Sequence, residues 1–238
     1  MRRGGLIGVV VAVVLTVAPM PTARAEDGLD YPRFVAFEQS VADDVDSFWT
    51  SWSQAHASAY HSAHLVLVPA AETHNSGCGV AAADPRDGAE DASPAFYCPR
   101  DDTVYLSAGW LYRAIYQRFG DLAAAVAVAH EWAHHVQTLD KLHPPSVMFA
   151  ELQADCWAGV WVHDADVRDL LDPGDLPGAG QALYALGDYA YRSADHHGTP
   201  RQRLRELTVG YRVGDPAQCD IPTPRRRISP KPSPRTRG

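Results

Sequence analysis

Val41, Val45, Phe48 and Trp52 follow one another at spacings of four, three and four, the apolar stripe of an amphipathic helix. The pattern changes to alternation in HLVLVP (64–69) and DTVYLS (102–107), where β-branched residues predict two short strands. From Asp121 the run DLAAAVAVA restores a helix, with Gly120 and Asp121 as its break and cap, and HEWAHHVQ carries it to about Leu139. Pro144 and Pro145 end the connection that follows, and Ser146 caps a second helix reaching about His163. DPGDLPGAG (172–180) predicts a loop, followed by helices near 181–193 and from Thr199 and Pro200 to about Tyr211. No internal repeat is visible. These elements predict an α+β fold, mostly helical, with a small β-sheet.

Composition places the chain among globular proteins: 238 residues, 46% of them hydrophobic, suffice for one sizeable core. Charge divides it into three parts. Residues 1–25 hold three of the 21 basic side chains and residues 221–238 hold six, with no acid in either, so 26–220 carries all 29 acids against 12 bases. An acidic body excludes nucleic acid as the main partner, because phosphate binding needs a basic footprint. The ending IPTPRRRISPKPSPRTRG (221–238) is proline-rich and basic, and is expected to be a disordered tail able to associate weakly with anionic cell-surface polymers. At the other end, MRRGG, the apolar LIGVVVAVVLTVA and the small-residue ARA at 23–25 form a secretory signal cut after Ala25. The apolar run is short for a membrane anchor, so a secreted or extracytoplasmic protein is expected. Export makes disulfides readable. Four cysteines allow three pairings. Joining Cys78 to Cys98 would clamp the acidic loop between them, and Cys156 to Cys219 would tie the end of the domain to its middle. None lies in a C-x-x-C pair, which argues against a cysteine-bound zinc.

The stretch HEWAHHVQ (130–137) brings chemistry to an otherwise apolar helix. Residues four apart lie about 40° apart around the helix axis, so His130 and His134 point the same way and can share one metal ion. Glu131 sits beside that ion and not on it, which is the HExxH arrangement of a Zn²⁺ site with a glutamate general base. A third ligand is offered by FAELQADCWAGVW, where Glu151 and Asp155 are again four apart. Glu151 would complete the coordination, and Asp155 would accept a hydrogen bond from the far nitrogen of a ligand histidine. The apolar neighbours Leu152, Cys156, Trp157 and Val160 bury this helix, and a metal offsets the cost of carboxylates there. Asp140, six residues after His134, is the rival third ligand of the HExxHxxGxxH type, but Gln137 stands where that pattern needs glycine. His135 points away by about 100° and reads as structural.

Four blocks in order, FYCPRDDTVYL (96–106), AHEWAHHVQ (129–137), ELQADCWAGVW (151–161) and HGTPRQRLRELTVGYRVGDPAQCD (197–220), resemble the bacterial neutral zinc metallopeptidases, zincins whose third ligand is a glutamate. The resemblance covers roughly 75–220. It implies a zincin-like single domain over 26–220, one Zn²⁺ held by His130, His134 and Glu151, and Glu131 as catalytic base. It also implies that the strand at Val104 to Leu106 is the edge along which an extended peptide or protein substrate lies. Ser107 follows that strand where family members usually carry aspartate. For the oxyanion of the tetrahedral intermediate, His197 is favoured over Tyr189 and Tyr211 because it lies in the last block and outside a helix interior. The reading is a secreted zinc peptidase. The alternative, from another class, is an extracellular zinc-binding or inhibitory protein that cleaves nothing.

Overall fold

Asp30 opens the first helix: its carboxylate accepts from the Arg33 backbone N–H at 3.0 Å, and Pro32 occupies the first turn of α1 (Tyr31–Ala55). The computed structural model describes residues 30–70, 72–82 and 92–219. The expected signal segment at 1–25 and basic tail at 221–238 lie outside them. On α1 the fully covered stripe runs through Phe34, Val41, Val45 and Trp49, so that Phe48 and Trp52 are only half-buried at its flank. Trp49 meets Trp157 edge to face at 5.3 Å between ring centres, pinning α1 to the middle of the molecule.

The strands are β1 (His64–Val68), β2 (Thr73–Ser76), β3 (Gly79–Ala82), β4 (Ala92–Ser93), β5 (Ala95–Cys98) and β6 (Thr103–Ser107). They form two three-stranded sheets, ordered β1-β6-β5 and β2-β3-β4. β6 is central, parallel to β1 and antiparallel to β5, and all five of its residues are buried. This corrects the expectation that the strand at Val104 to Leu106 offers an edge, since both of its sides are paired. The edge strands of this sheet are β1 and β5. Ser107 N–H donates to the Pro94 carbonyl at 2.7 Å, so residues 94, 96 and 98 bond to β6. Antiparallel alternation then turns the backbone groups of Ala95 and Tyr97 outwards. The second sheet was not legible in the sequence, because THNS and GVAA are short and lack an apolar period. A disulfide from Cys78, in the turn between β2 and β3, to Cys98 at the end of β5 ties the two sheets together.

After β6 the chain passes through α2 (Ala108–Trp110), a π-helical segment (Leu111–Tyr116) and α3 (Gln117–Phe119) before α4 (Asp121–Leu139) begins. α5 (Val147–Val167) is apolar around most of its circumference and is accordingly the central helix, packed between α4 and α7 (Pro200–Val213). Thr199 caps α7 through a reciprocal box with Gln202. α5 and α7 touch at backbone distance: a Cβ on Gly210 would lie 1.8 Å from the Cys156 carbonyl oxygen, and one on Gly159 would lie 2.2 Å from that of Leu207. A disulfide from Cys156 to Cys219, just after the 3₁₀ turn Pro216–Gln218, closes the same contact.

The loop expected at 172–180 is in fact the start of α6 (Asp175–Leu186), and the helix expected to run to 193 ends at Leu186. Its glycines serve packing as well as turning. Gly174 takes a left-handed φ of 110° to launch the helix, whereas a Cβ on Gly178 would lie 2.2 Å from the Phe119 carbonyl oxygen. Pro177, in the first turn, removes only a donor that has no intrahelical partner. Among the described residues, no helix is long and apolar enough to cross a membrane.

Candidate metal centre

On α4 between Leu122 and Gln137, only Ala127, Glu131 and His134 keep appreciable exposure, at spacings of four and three, and this stripe faces a cleft of about 700 Å³. β5 forms one wall and α6 another. At the base of the cleft α4 and α5 bring His130, His134 and Glu151 together, one potential ligand atom of each within 4.8 Å of the others. His130 Nε2 lies 3.1 Å from Glu151 Oε2, His134 Nε2 lies 3.3 Å from Glu151 Oε1, and the two Nε2 atoms are 3.2 Å apart. Four-coordinate zinc, with bonds of about 2.0–2.1 Å, sets neighbouring ligand atoms about 3.3 Å apart, so the spacing fits one tetrahedral ion. Charge agrees. Glu131, Glu151 and Asp155 are three carboxylates around Arg203, the one buried Arg or Lys among the described residues, and the excess negative charge is of the kind that protons on the imidazoles or a divalent cation would offset.

Each imidazole is backed by a partner. His130 Nδ1 lies 2.9 Å from Asp155 Oδ1, although the ring N–H direction is off the line between them. Asp155 is itself gripped by Arg203, whose Nε and Nη2 donate to its two oxygens at 2.8 and 2.7 Å. His134 Nδ1 faces Gln137 Oε1 at 2.9 Å. The Gln137 amide donates to the Ala150 carbonyl at 2.9 Å and to Gln153 Oε1 at 3.1 Å, so its oxygen must be the atom turned to His134. That arrangement puts the proton on Nδ1 and leaves Nε2 free to ligate. Burial opposes charge on His130, but the Asp155 and Glu151 carboxylates beside its ring carry its pKa up to about 10. Burial also works against charge on Glu151, and the two imidazoles hold it well below the usual carboxylate range.

Gln137 and Arg203 were missed by sequence reasoning as parts of the site. Gln137 lies three residues after His134, a helical neighbour spacing that could have signalled it, whereas Arg203 is 48 residues from Asp155 and needed the fold. Glu131 and His197 both line the cleft, Glu131 half-buried and His197 exposed, with the His197 backbone N–H donating to Asp188 at 3.0 Å. Tyr189 is exposed and the Tyr211 hydroxyl donates to Asp166 at 2.6 Å; neither lines the cleft. Asp140 is exposed at the end of α4 and stays out of the cluster. His135 is fully buried on the far face, with Nδ1 at 2.8 Å from Asp102 and Nε2 at 2.8 Å from the His61 carbonyl. Tyr97 also donates to Asp102 at 2.8 Å, so this residue, in a left-handed conformation with φ 52°, locks α4 to β5.

Comparison with known proteins agrees with this geometry. The chain is similar to the uncharacterized protein YpfJ of Escherichia coli K12, 36% identical over 153 residues, covering 52% of this chain and 53% of that protein. It thus matches only about half of YpfJ's length. It is also similar to the uncharacterized protein Rv2575 of Mycobacterium tuberculosis H37Rv, 29% identical over 259 residues, covering 90% of this chain and 83% of that one. No solved structure matches. The model of one family, described as "Putative neutral zinc metallopeptidase", matches residues 19–221, and the chain therefore belongs to the neutral zinc metallopeptidase family.

Proposed function

We propose that this protein is an extracytoplasmic zinc-dependent peptidase. The observation that carries the reading is the open stripe of α4, which presents Glu131 to the same cleft whose base holds His130, His134 and Glu151. Those three residues would hold Zn²⁺, with Asp155 and Gln137 orienting the two imidazoles. When bound, the ion supplies Lewis acidity, polarising a carbonyl and lowering the pKa of water. Glu131 takes a proton from the attacking water and returns it to the departing amine. An extended peptide pairs with the outer edge of β5, using the outward backbone groups of Tyr97 and the Ala95 N–H, the Ala95 carbonyl already accepting from the Ser93 hydroxyl at 3.0 Å. His197, at the cleft mouth, donates to the developing oxyanion. Two disulfides support an oxidising compartment, consistent with export by the N-terminal segment.

The test is Glu131→Gln, which removes basicity while keeping size and leaving all three ligands in place. Zinc content and fold should be unchanged, and metal-dependent hydrolysis of a peptide library should fall by 10²-fold or more. A wild type that hydrolyses nothing, or a variant as fast as the wild type, would turn the assignment to a zinc-binding protein without catalysis.

A further inference from the structure

On the face of α4 turned away from the metal centre, Leu122 and Ala125 floor a groove of about 290 Å³. Phe37 and Val41 of α1, Trp161 of α5 and Leu171 in the connection before α6 complete its apolar lining. Its rim is acidic. Asp44, Asp121 and Asp175 also line it, and Arg168 neutralises the first, donating to its two oxygens at 2.7 and 2.8 Å. Asp121 accepts the Leu122 backbone N–H and Asp175 that of Asp172, both at 2.7 Å, and neither carboxylate pairs with a cation among the described residues. Burial pushes the Asp175 carboxyl up, and the Asp121 and Asp172 carboxylates near it push the same way. Leu170, at the lip, is 60% exposed. A segment that fits such a groove combines an aliphatic side chain with positive charge.

The chain itself carries one, and it starts beside the groove. Trp157 Nε1 donates to the Pro216 carbonyl at 3.1 Å, and Trp161 lies one turn, about 6 Å, further along the same face of α5. The Cys156–Cys219 disulfide then holds residue 219 to that helix. The stretch IPTPRRRI (221–228) sets three arginines between two isoleucines and contains no acid. At the rise of a proline-rich chain, Ile228 can lie up to about 28 Å from Cys219, whereas Ala165, the far wall of the groove along α5, is about 14 Å from Cys156. We infer that residues 221–228 dock on this groove within the same molecule, with Ile228 over the apolar floor and the arginines along the Asp121 and Asp175 rim. So short a tether gives an effective concentration on the order of millimolar, and a contact of modest strength suffices. The inference is independent of the peptidase reading.

The test is limited trypsin digestion of the full chain, with mass spectrometry reading cleavage after Arg225 and Arg226 against cleavage after Arg235, which lies outside the contact. Relative to Arg235, the two sites should be cut about 10-fold more slowly at low salt than at about 0.5 M NaCl, because docking depletes the open form that the protease needs and salt screens the arginines from the rim. Two substitutions probe the two sides of the contact. Ile228→Ser removes the aliphatic anchor, and Leu170→Lys puts a like charge on the exposed lip, where folding does not depend on it. Each should restore rapid cleavage at low salt, and the protection in the wild type should be the same at every protein concentration. Equal relative rates at low and high salt overturn the proposal, as does protection that survives either substitution. Protection that grows with protein concentration overturns it too, and gives the groove to a second copy of the chain.

Discussion

Gln137 carries more of the site than its neutral side chain suggests. Both its donors are spent on α5, on the Ala150 carbonyl and Gln153, so one amide sets the orientation of His134 and holds the start of the helix that delivers Glu151. Gln137→Leu keeps the volume but frees the ring to rotate. Zinc affinity should fall by about 10- to 100-fold, as for other residues that orient a ligand, measured by competition with a chromophoric chelator. Gln137→Glu retains an acceptor for His134 but loses both donors to α5 and sets a carboxylate oxygen against the Ala150 carbonyl, so it should recover only part of the loss, an outcome that a purely packing role would not produce. The same residue shows how far spacing carries. HExxH brought His130, Glu131 and His134 to attention because a helix repeats on itself within the motif, whereas the assignment of Gln137 depended on where its amide hydrogens go.

At the scale of the element, α1 contains a conflict between pattern and chemistry. Glu38 sits on its buried stripe with no exposure and no partner for either carboxylate oxygen, and burial pushes its pKa up to about 8. The unfolded chain releases this proton near 4.5 and the native protein near 8. The native state therefore binds more protons throughout that window, and stability declines as pH rises through it, by about 1.4 kcal/mol per pH unit and about 3 kcal/mol in all at pH 7. Below pH 4.5 both states are protonated and the penalty vanishes. Glu38→Leu should raise the denaturation midpoint at pH 7 to 8, flatten the stability profile between pH 4.5 and 8, and change little at pH 4. Urea titrations across that range would check it; a variant as pH-dependent as the wild type would show that another group sets the slope. α6 teaches a complementary point. Its Gly and Pro residues read as a loop, yet Gly178 lies in the helix because only hydrogen fits against the Phe119 carbonyl.

For the whole molecule, the decisive contact is the crossing of α5 and α7. It places Arg203 against Asp155, and through Asp155 against His130, so the backing of the metal centre depends on a helix that contributes none of its three ligand candidates. The Cys156–Cys219 disulfide closes a separation of 63 residues around this crossing. By the loop-entropy relation its contribution is about 4 kcal/mol. Replacing both cysteines by serine should lower stability by that order, read from the urea midpoint. Zinc should still bind once the protein is folded, because no cysteine belongs to the ligand cluster.

The sequence alone determined the helices α4 and α5, the strands β1 and β6, and the face on which His130 and His134 lie, because each is encoded by a local period that repeats within a few residues. It also narrowed the third ligand to Glu151 or Asp140, and only the packing of α4 on α5 brought Glu151 within 3.3 Å of both imidazoles while leaving Asp140 outside. The tertiary structure alone decided that β6 is central and that β5 is the edge strand lining the cleft, since strand order is a matter of pairing between distant segments. It also decided the Arg203 grip on Asp155 and the placing of Ala123 and Ala127 in the lining of the cleft. An alanine on a helix has the same local signature whether it packs in a core or floors a pocket, and only the neighbours brought in by the fold distinguish the two.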